Sequence, residues 1–122
     1  MDGNHSKEFV RRDINNLLAY QPITKTVILM HDSFNPECRE GIATANWKQC
    51  DFCHFVELDF VPGIVHPDHK VRGQLWGGLA MALLLPEHRK GELHIRRTHE
   101  LAFRAASGAQ LSSWWRKLLR IS

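Results

Sequence analysis

No run of roughly eighteen apolar residues occurs anywhere in the chain, so no segment has the length that a membrane-spanning helix needs. Residues 1–20 contain no apolar core of a secretory signal and carry Asp2, Glu8 and Asp13. That argues against an export leader and sets the cytoplasm as the expected compartment. Cysteine is scarce and odd in number (Cys38, Cys50, Cys53), which fits reduced thiols better than a disulfide framework. Internal repeats and low-complexity tracts are missing. So is a GxGxxG turn: Gly73 and the pair Gly77-Gly78 follow a loop instead of opening a helix.

What is present is one domain at most, 122 residues of ordinary apolar and charged content. The net charge of +3 is mild but uneven. From Arg89 onward Arg89, Lys90, Arg96, Arg97, Arg104, Arg116, Lys117 and Arg120 face only Glu92 and Glu100. Such a tail is either a solvated helical face or a surface for phosphates or anionic lipid. Trp114-Trp115 lies within it, beside Leu111, Leu118 and Leu119, an apolar helical face suited to docking on the protein's own sheet or on a partner. Nucleic acid is not the expected partner.

Local signals give an element order. Phe9, Val10, Ile14, Leu17 and Leu18 recur at helical spacing and predict a helix over 5–20, capped by Asn4 or Ser6 and ended by Pro22. Thr26 to Met30 is a short apolar run that suits a strand buried on both faces. Asn35-Pro36-Glu37 starts a second helix, which Gly41 is expected to keep short. A strand follows over 54–61, broken by Pro62-Gly63, then a loop over 64–72. Residues 74–85 read as a strand with a kink or close backbone approach at Gly77-Gly78, with a helix, suited by its abundant Leu and Ala, as the competing reading. Helices over 92–106 and 111–121 complete the order. The short loop between the last two strands predicts an antiparallel pair at one edge of an otherwise parallel sheet.

Three constellations bear on chemistry. Asp2, His5 and Asp32 come first: in an open α/β sheet the carboxyl ends of successive strands share one rim, where ligands bind. Asp2 and Asp32 are hard oxygen donors of the type that hold Mg²⁺, and His5 titrates near neutrality and can take a proton from a hydroxyl. The bland alternative is that Asp2 and Asn4 cap a helix while His31-Asp32 only ends a strand. Second, Cys50-Asp51-Phe52-Cys53-His54 matches the CxxCH pattern of c-type haem attachment, or half a zinc site; packing of small apolar cysteines is the expectation here. Third, His66, Asp68 and His69 cluster in a loop and read as solvated side chains.

Asp2-Gly3-Asn4-His5-Ser6, a helix with Arg12-Asp13 and Leu17-Leu18, and a strand ending in His31-Asp32 together resemble the carboxyl half of class I S-adenosylmethionine-dependent methyltransferases. The nearest branch is that of metal-dependent sugar O-methyltransferases and cephalosporin hydroxylase relatives. The likeness covers residues 1 to about 85, including Glu57-Leu58-Asp59 and Gly77-Gly78-Leu79. It implies a Rossmann-like doubly wound sheet with an antiparallel edge hairpin and a helical C-terminal tail, divided into a partial methyltransferase domain over 1–86 and a basic tail over 87–122. It also implies methyl transfer from S-adenosylmethionine to a hydroxyl of a sugar or small natural product. Residue by residue, it makes His5 the base, Asp2 and Asn4 contacts to the cofactor, and Asp2 and Asp32 ligands of a divalent metal. His31, where those sugar enzymes tend to have Glu, is a further candidate ligand for a softer metal.

The amino half of such an enzyme, with its central strands and glycine-rich turn, has no counterpart in the sequence. The expectation is therefore a split or truncated enzyme whose inner sheet edge, near Val27 to Met30, stays open. Such a chain would associate with itself or with a companion carrying the other half. A non-catalytic remnant that binds anionic partners through the basic tail is the alternative from another class.

Overall fold

The computed structural model describes residues 6–65 and 75–107, and in these the chain forms a small α/β domain. Helix α1 spans Lys7–Leu18. Ser6 caps it, its side chain accepting the amide of Phe9 at 3.3 Å, and Val10 and Ile14 bury one stripe one turn apart. Strand β1 is Thr26–His31. Helix α2 is Pro36–Ala43, opened by the predicted proline and by Asn35, whose Oδ1 accepts the amides of Glu37 and Cys38 at 3.0 and 3.1 Å.

Gly41 does not stop α2; it lets α2 touch α1. A Cβ at this position would stand 2.7 Å from both the Lys7 carbonyl oxygen and the Val10 Cβ. The two helices therefore meet backbone to backbone, and the Lys7 amide donates to Glu37 Oε2 at 3.0 Å.

Strand β2 is Cys53–Val61, β3 Ile64–Val65, β4 Leu75–Trp76, β5 Leu79–Leu84 and β6 Ile95–Arg96; helix α3 is Glu100–Ser107. The main sheet has the order β1-β5-β2-β6, while β3 and β4 pair antiparallel by themselves. β5 runs antiparallel to both neighbours, with Ile28 opposite Ala82 on one side and Val56 opposite Ala82 on the other. β1, β2 and β6 thus point the same way, and β5 alone is reversed. The expected antiparallel pair exists, but not at an edge: the reversed strand lies inside the sheet, and β1 and β6 are its outer strands among the described residues.

Two further expectations change. The helix placed over 92–106 begins only at Glu100. Ile95-Arg96 instead joins the sheet beside Val56-Glu57, because a β-branched residue there finds a free strand to pair with. Leu93 is buried in the main core, so residues 87–107 belong to the same packed unit as the sheet. The second change concerns β1, which is not buried on both faces: Val27 is 54% and Leu29 56% exposed.

The core lies between the helices and one face of the sheet. Met30, Val56, Leu58, Ala80, Ala82 and Leu84 meet Val10, Ile14, Cys38 and Ile42 there. Ala80 and Ala82 on the central strand are fully buried, and their small side chains leave room for larger neighbours. Trp47 is also fully buried, and its indole N–H is satisfied by the Ile42 carbonyl at 2.6 Å. Alanine at Gly41 should cost about 1–3 kcal/mol by overpacking, more than the roughly 1 kcal/mol that helix propensity returns. Urea unfolding of Gly41→Ala should therefore show a lower midpoint; a higher one would mean that α1 can move aside freely.

Candidate functional site at the strand carboxyl ends

Since β1 and β2 are parallel, their carboxyl ends open onto one rim, and β5 begins there after Gly77-Gly78. The chain leaving β1 passes very close to this glycine pair. The Asp32 amide donates to the Gly78 carbonyl at 3.0 Å and the Phe34 amide to that of Gly77 at 3.1 Å. Gly78 has φ +86° and a Cβ there would fall 2.6 Å from Ser33 Oγ, so only glycine fits. This is the close backbone approach expected from the sequence.

Asp32 has φ +62°, the left-handed region that Asp tolerates better than most residues. The turn it makes is closed by the Asn35 amide donating to the Asp32 carbonyl at 2.9 Å, just ahead of α2. His31 Nδ1 lies 2.9 Å from Asp32 Oδ2. The imidazole is 55% exposed and the carboxylate 27%, so both face solvent at the rim. Asp2, Asn4 and His5 lie outside the described residues, as do His66, Asp68, His69 and the Trp114-Trp115 segment.

Behind the rim sits a charge cluster that the sequence does not advertise. Arg39 on α2 is 3% exposed, and its guanidinium grips Asp59 of β2 through both nitrogens, at 2.6 and 3.0 Å. The same group donates to Glu100 Oε2 of α3 at 2.7 Å and to the Ser33 carbonyl at 3.3 Å. Its charge lies over the Phe103 ring at 4.4 Å and the Phe34 ring at 5.4 Å, and those two rings meet edge to face. Asp59 also accepts the His99 amide at 2.8 Å. Next to it Glu57 accepts the Thr98 hydroxyl at 2.6 Å and the Thr98 and Asp59 amides at 3.1 and 3.0 Å.

These contacts set the protonation of the cluster. Burial pushes the Asp59 carboxyl up, but the Arg39 hydrogen bonds, the His99 amide and the Arg39 charge outweigh it, and the pKa falls below the ordinary carboxylate value. Glu57, with burial opposed by the Thr98 donors, and Glu100, with burial opposed by Arg39, shift the same way. Burial, reinforced by the charges of Asp32 and Glu37, raises the Cys38 thiol to about 11, so it is no nucleophile at neutral pH.

The other sequence-level candidates resolve into structural roles. Cys50 and Cys53 are buried in the core, and His54 Nε2 is 2.8 Å from the Glu87 carbonyl oxygen. Arg89, counted above in the basic tail, donates to the carbonyls of Lys48, Cys50, Cys53 and Gly91 at 2.7–3.1 Å, fastening the turn before β2. Arg97 and Arg104 approach Glu100 at 4.0 and 3.2 Å, and Arg96 lies over Phe55. Much of the described basic surface is therefore engaged internally. Among the described residues no group of three His, Cys, Asp or Glu side chains could hold a metal ion. Comparison with protein-family models, with curated proteins and with solved structures finds no match.

Replacing Arg39 leaves the Asp59 charge buried without a partner, so Arg39→Met should lose about 3–5 kcal/mol in urea unfolding at neutral pH. The three depressed carboxyls stabilise the fold fully above the ordinary carboxylate range. That contribution should disappear as pH falls through the range and below it. The gap between wild type and Arg39→Met should accordingly narrow on acidification, since protonating Asp59 removes the stranded charge. A gap independent of pH would mean that the pair is not what holds the rim.

Proposed function

We propose that the chain is the carboxyl half of a class I S-adenosylmethionine-dependent methyltransferase acting on a hydroxyl of a sugar or small natural product. The observation that supports this most is the β1-α2-β2 unit, whose two parallel strands bring Asp32 and Asp59 to one rim with a reversed strand between them. That topology agrees with the Rossmann-like carboxyl-half sheet implied by the resemblance. Of the two acids, Asp32 is the one that reaches solvent at the rim, where a hydroxyl-activating site would use it.

In this reading the two carboxylates have different tasks. Asp59 is neutralised by Arg39 and holds the framework. Asp32 stays accessible, and as a hard oxygen donor it suits Mg²⁺, which needs only one or two carboxylates when water and substrate oxygens complete its shell. Asp2 and Asp32 would hold the ion, and when bound it would lower the pKa of the acceptor hydroxyl. His31, a softer donor already turned through Nδ1 to Asp32, suits Mg²⁺ less well. Its Nε2 is the ring nitrogen left for an outside partner, in the arrangement by which a carboxylate fixes an imidazole tautomer. By the resemblance, His5 would take the proton from the hydroxyl, and Asp2 and Asn4 would contact the methyl donor. Holding donor and acceptor in line accounts for much of the remaining rate.

Titration of S-adenosylmethionine into the purified chain, with and without Mg²⁺, tests this proposal by calorimetry. Saturable heat is expected, and Asp32→Asn should weaken the Mg²⁺-dependent part at least tenfold. Heat with a polyanion and none with the methyl donor would instead favour an anion-binding remnant. Wherever turnover is measurable, His5→Asn should lower kcat by about 10²–10⁴, the range for loss of a general base.

A further inference from the structure

Strand β1 forms one side of the sheet, and nothing in its sequence protects that side. Among the described residues its only strand partner is β5. Because the Asp32 amide points to β5, alternation along the strand turns the amides and carbonyls of Val27, Leu29 and His31 outward. Edge strands are usually guarded by charge, proline or a bulge, yet Thr26 to Met30 has none of these. Val27 and Leu29 project from the sheet face away from α1 and α2 and are more than half exposed. A cleft of about 150 Å³ also runs between α1 and β1, lined chiefly by Val10, Ile14, Ile28, Met30 and Ile42, with Asp13 and His31 beside them.

We propose that this edge pairs with the same edge of a second copy, antiparallel about a twofold axis at Ile28. Charge selects this occupant and orientation. Lys25 precedes the strand and the His31–Asp32 pair ends it. Antiparallel pairing sets Lys25 opposite His31 of the other copy, beside its Asp32 carboxylate. Parallel pairing would instead stack Lys25 on Lys25. The axis at Ile28 sets Val27 opposite Leu29 on both sides of the dyad, so every outward amide and carbonyl from Val27 to Leu29 gains a partner. The exposed apolar pairs then form one continuous ladder that covers both copies at once, as an isologous contact requires. This inference concerns the sheet edge and does not rest on the methyltransferase reading.

Sedimentation of the full 122-residue chain in ~0.15 M salt, near physiological ionic strength, should show a dimer that dissociates on dilution. Leu29→Lys, a change at an exposed position, should weaken the dimer at least tenfold while far-ultraviolet circular dichroism stays the same. Register is read with cysteines. Oxidising a mixture of Val27→Cys and Leu29→Cys chains should give a covalent dimer, since hydrogen-bonded pairs sit about 5.5 Å apart at Cα, within disulfide reach. Either variant oxidised alone should stay monomeric on a non-reducing gel. A folded wild-type monomer at high concentration would overturn the proposal. So would a dimer indifferent to Leu29→Lys, crosslinking of one variant by itself, or a purified 1:1 complex with a different polypeptide on this edge.

Discussion

Arg39 keeps a full charge while almost wholly shielded from water, and it can do so only because its planar fork meets the Asp59 carboxylate with two hydrogen bonds. The same guanidinium reaches Glu100 on α3 and the Ser33 carbonyl on the loop leaving β1. One side chain thereby joins α2, β2, α3 and the rim. A buried ion pair is weak evidence for net stability, since desolvation consumes much of the attraction. Its effect here is on position: α3 can start only where Glu100 reaches Arg39 and the His99 amide reaches Asp59.

The rim in front of this cluster takes its shape from backbone constraints. Asp32 turns through a left-handed conformation, Gly78 accommodates Ser33 where no side chain would fit, and the Asn35 cap starts α2 three residues later. The His31–Asp32 pair is consequently held on a short, doubly anchored segment and not on a free loop. That rigidity is what a site needs if an imidazole or carboxylate is to meet a reacting atom with fixed geometry. Burial separates the two carboxylates: Asp59 is paired with Arg39 in the interior, and Asp32 lies beside His31 where solvent reaches it.

Among the described residues one face of the sheet is covered by helices and the other is exposed at β1, while Glu57 further along that face is buried against Thr98. Helices α1 and α2, locked together at Gly41, cover Met30, Ala80, Ala82 and Val56. Val27 and Leu29 on the reverse face keep their apolar surface in water. Strand pairing satisfies backbone groups in registers that place like surfaces together, so the edge of β1 and its exposed apolar side chains pose one problem, which the proposed pairing with a second copy would answer.

Local chemistry wrote α1, α2, β1, β2 and β5 into the sequence, because caps, proline, β-branched runs and glycine act over a few residues. The kink at Gly77-Gly78 and the placement of His31-Asp32 at a strand end were legible for the same reason. The charge cluster was not. Arg39 and Asp59 are twenty residues apart and Arg39 and Glu100 sixty-one apart, and nothing near any of them distinguishes a buried ion from a solvated one. Residues 95–96 looked helical because Leu, His and Arg suit a helix; a vacant neighbour on β2 made them a strand. The sequence by itself determined that α1, α2, β1, β2 and β5 form and that His31-Asp32 stands at the end of β1, while the short strands β3 and β6 escaped it. Only the tertiary structure decided that β5 lies between β1 and β2, that Arg39 is interior, and that Val27 and Leu29 of β1 are exposed. Strand order and burial are set by contacts among segments distant in the chain, and no local preference encodes those.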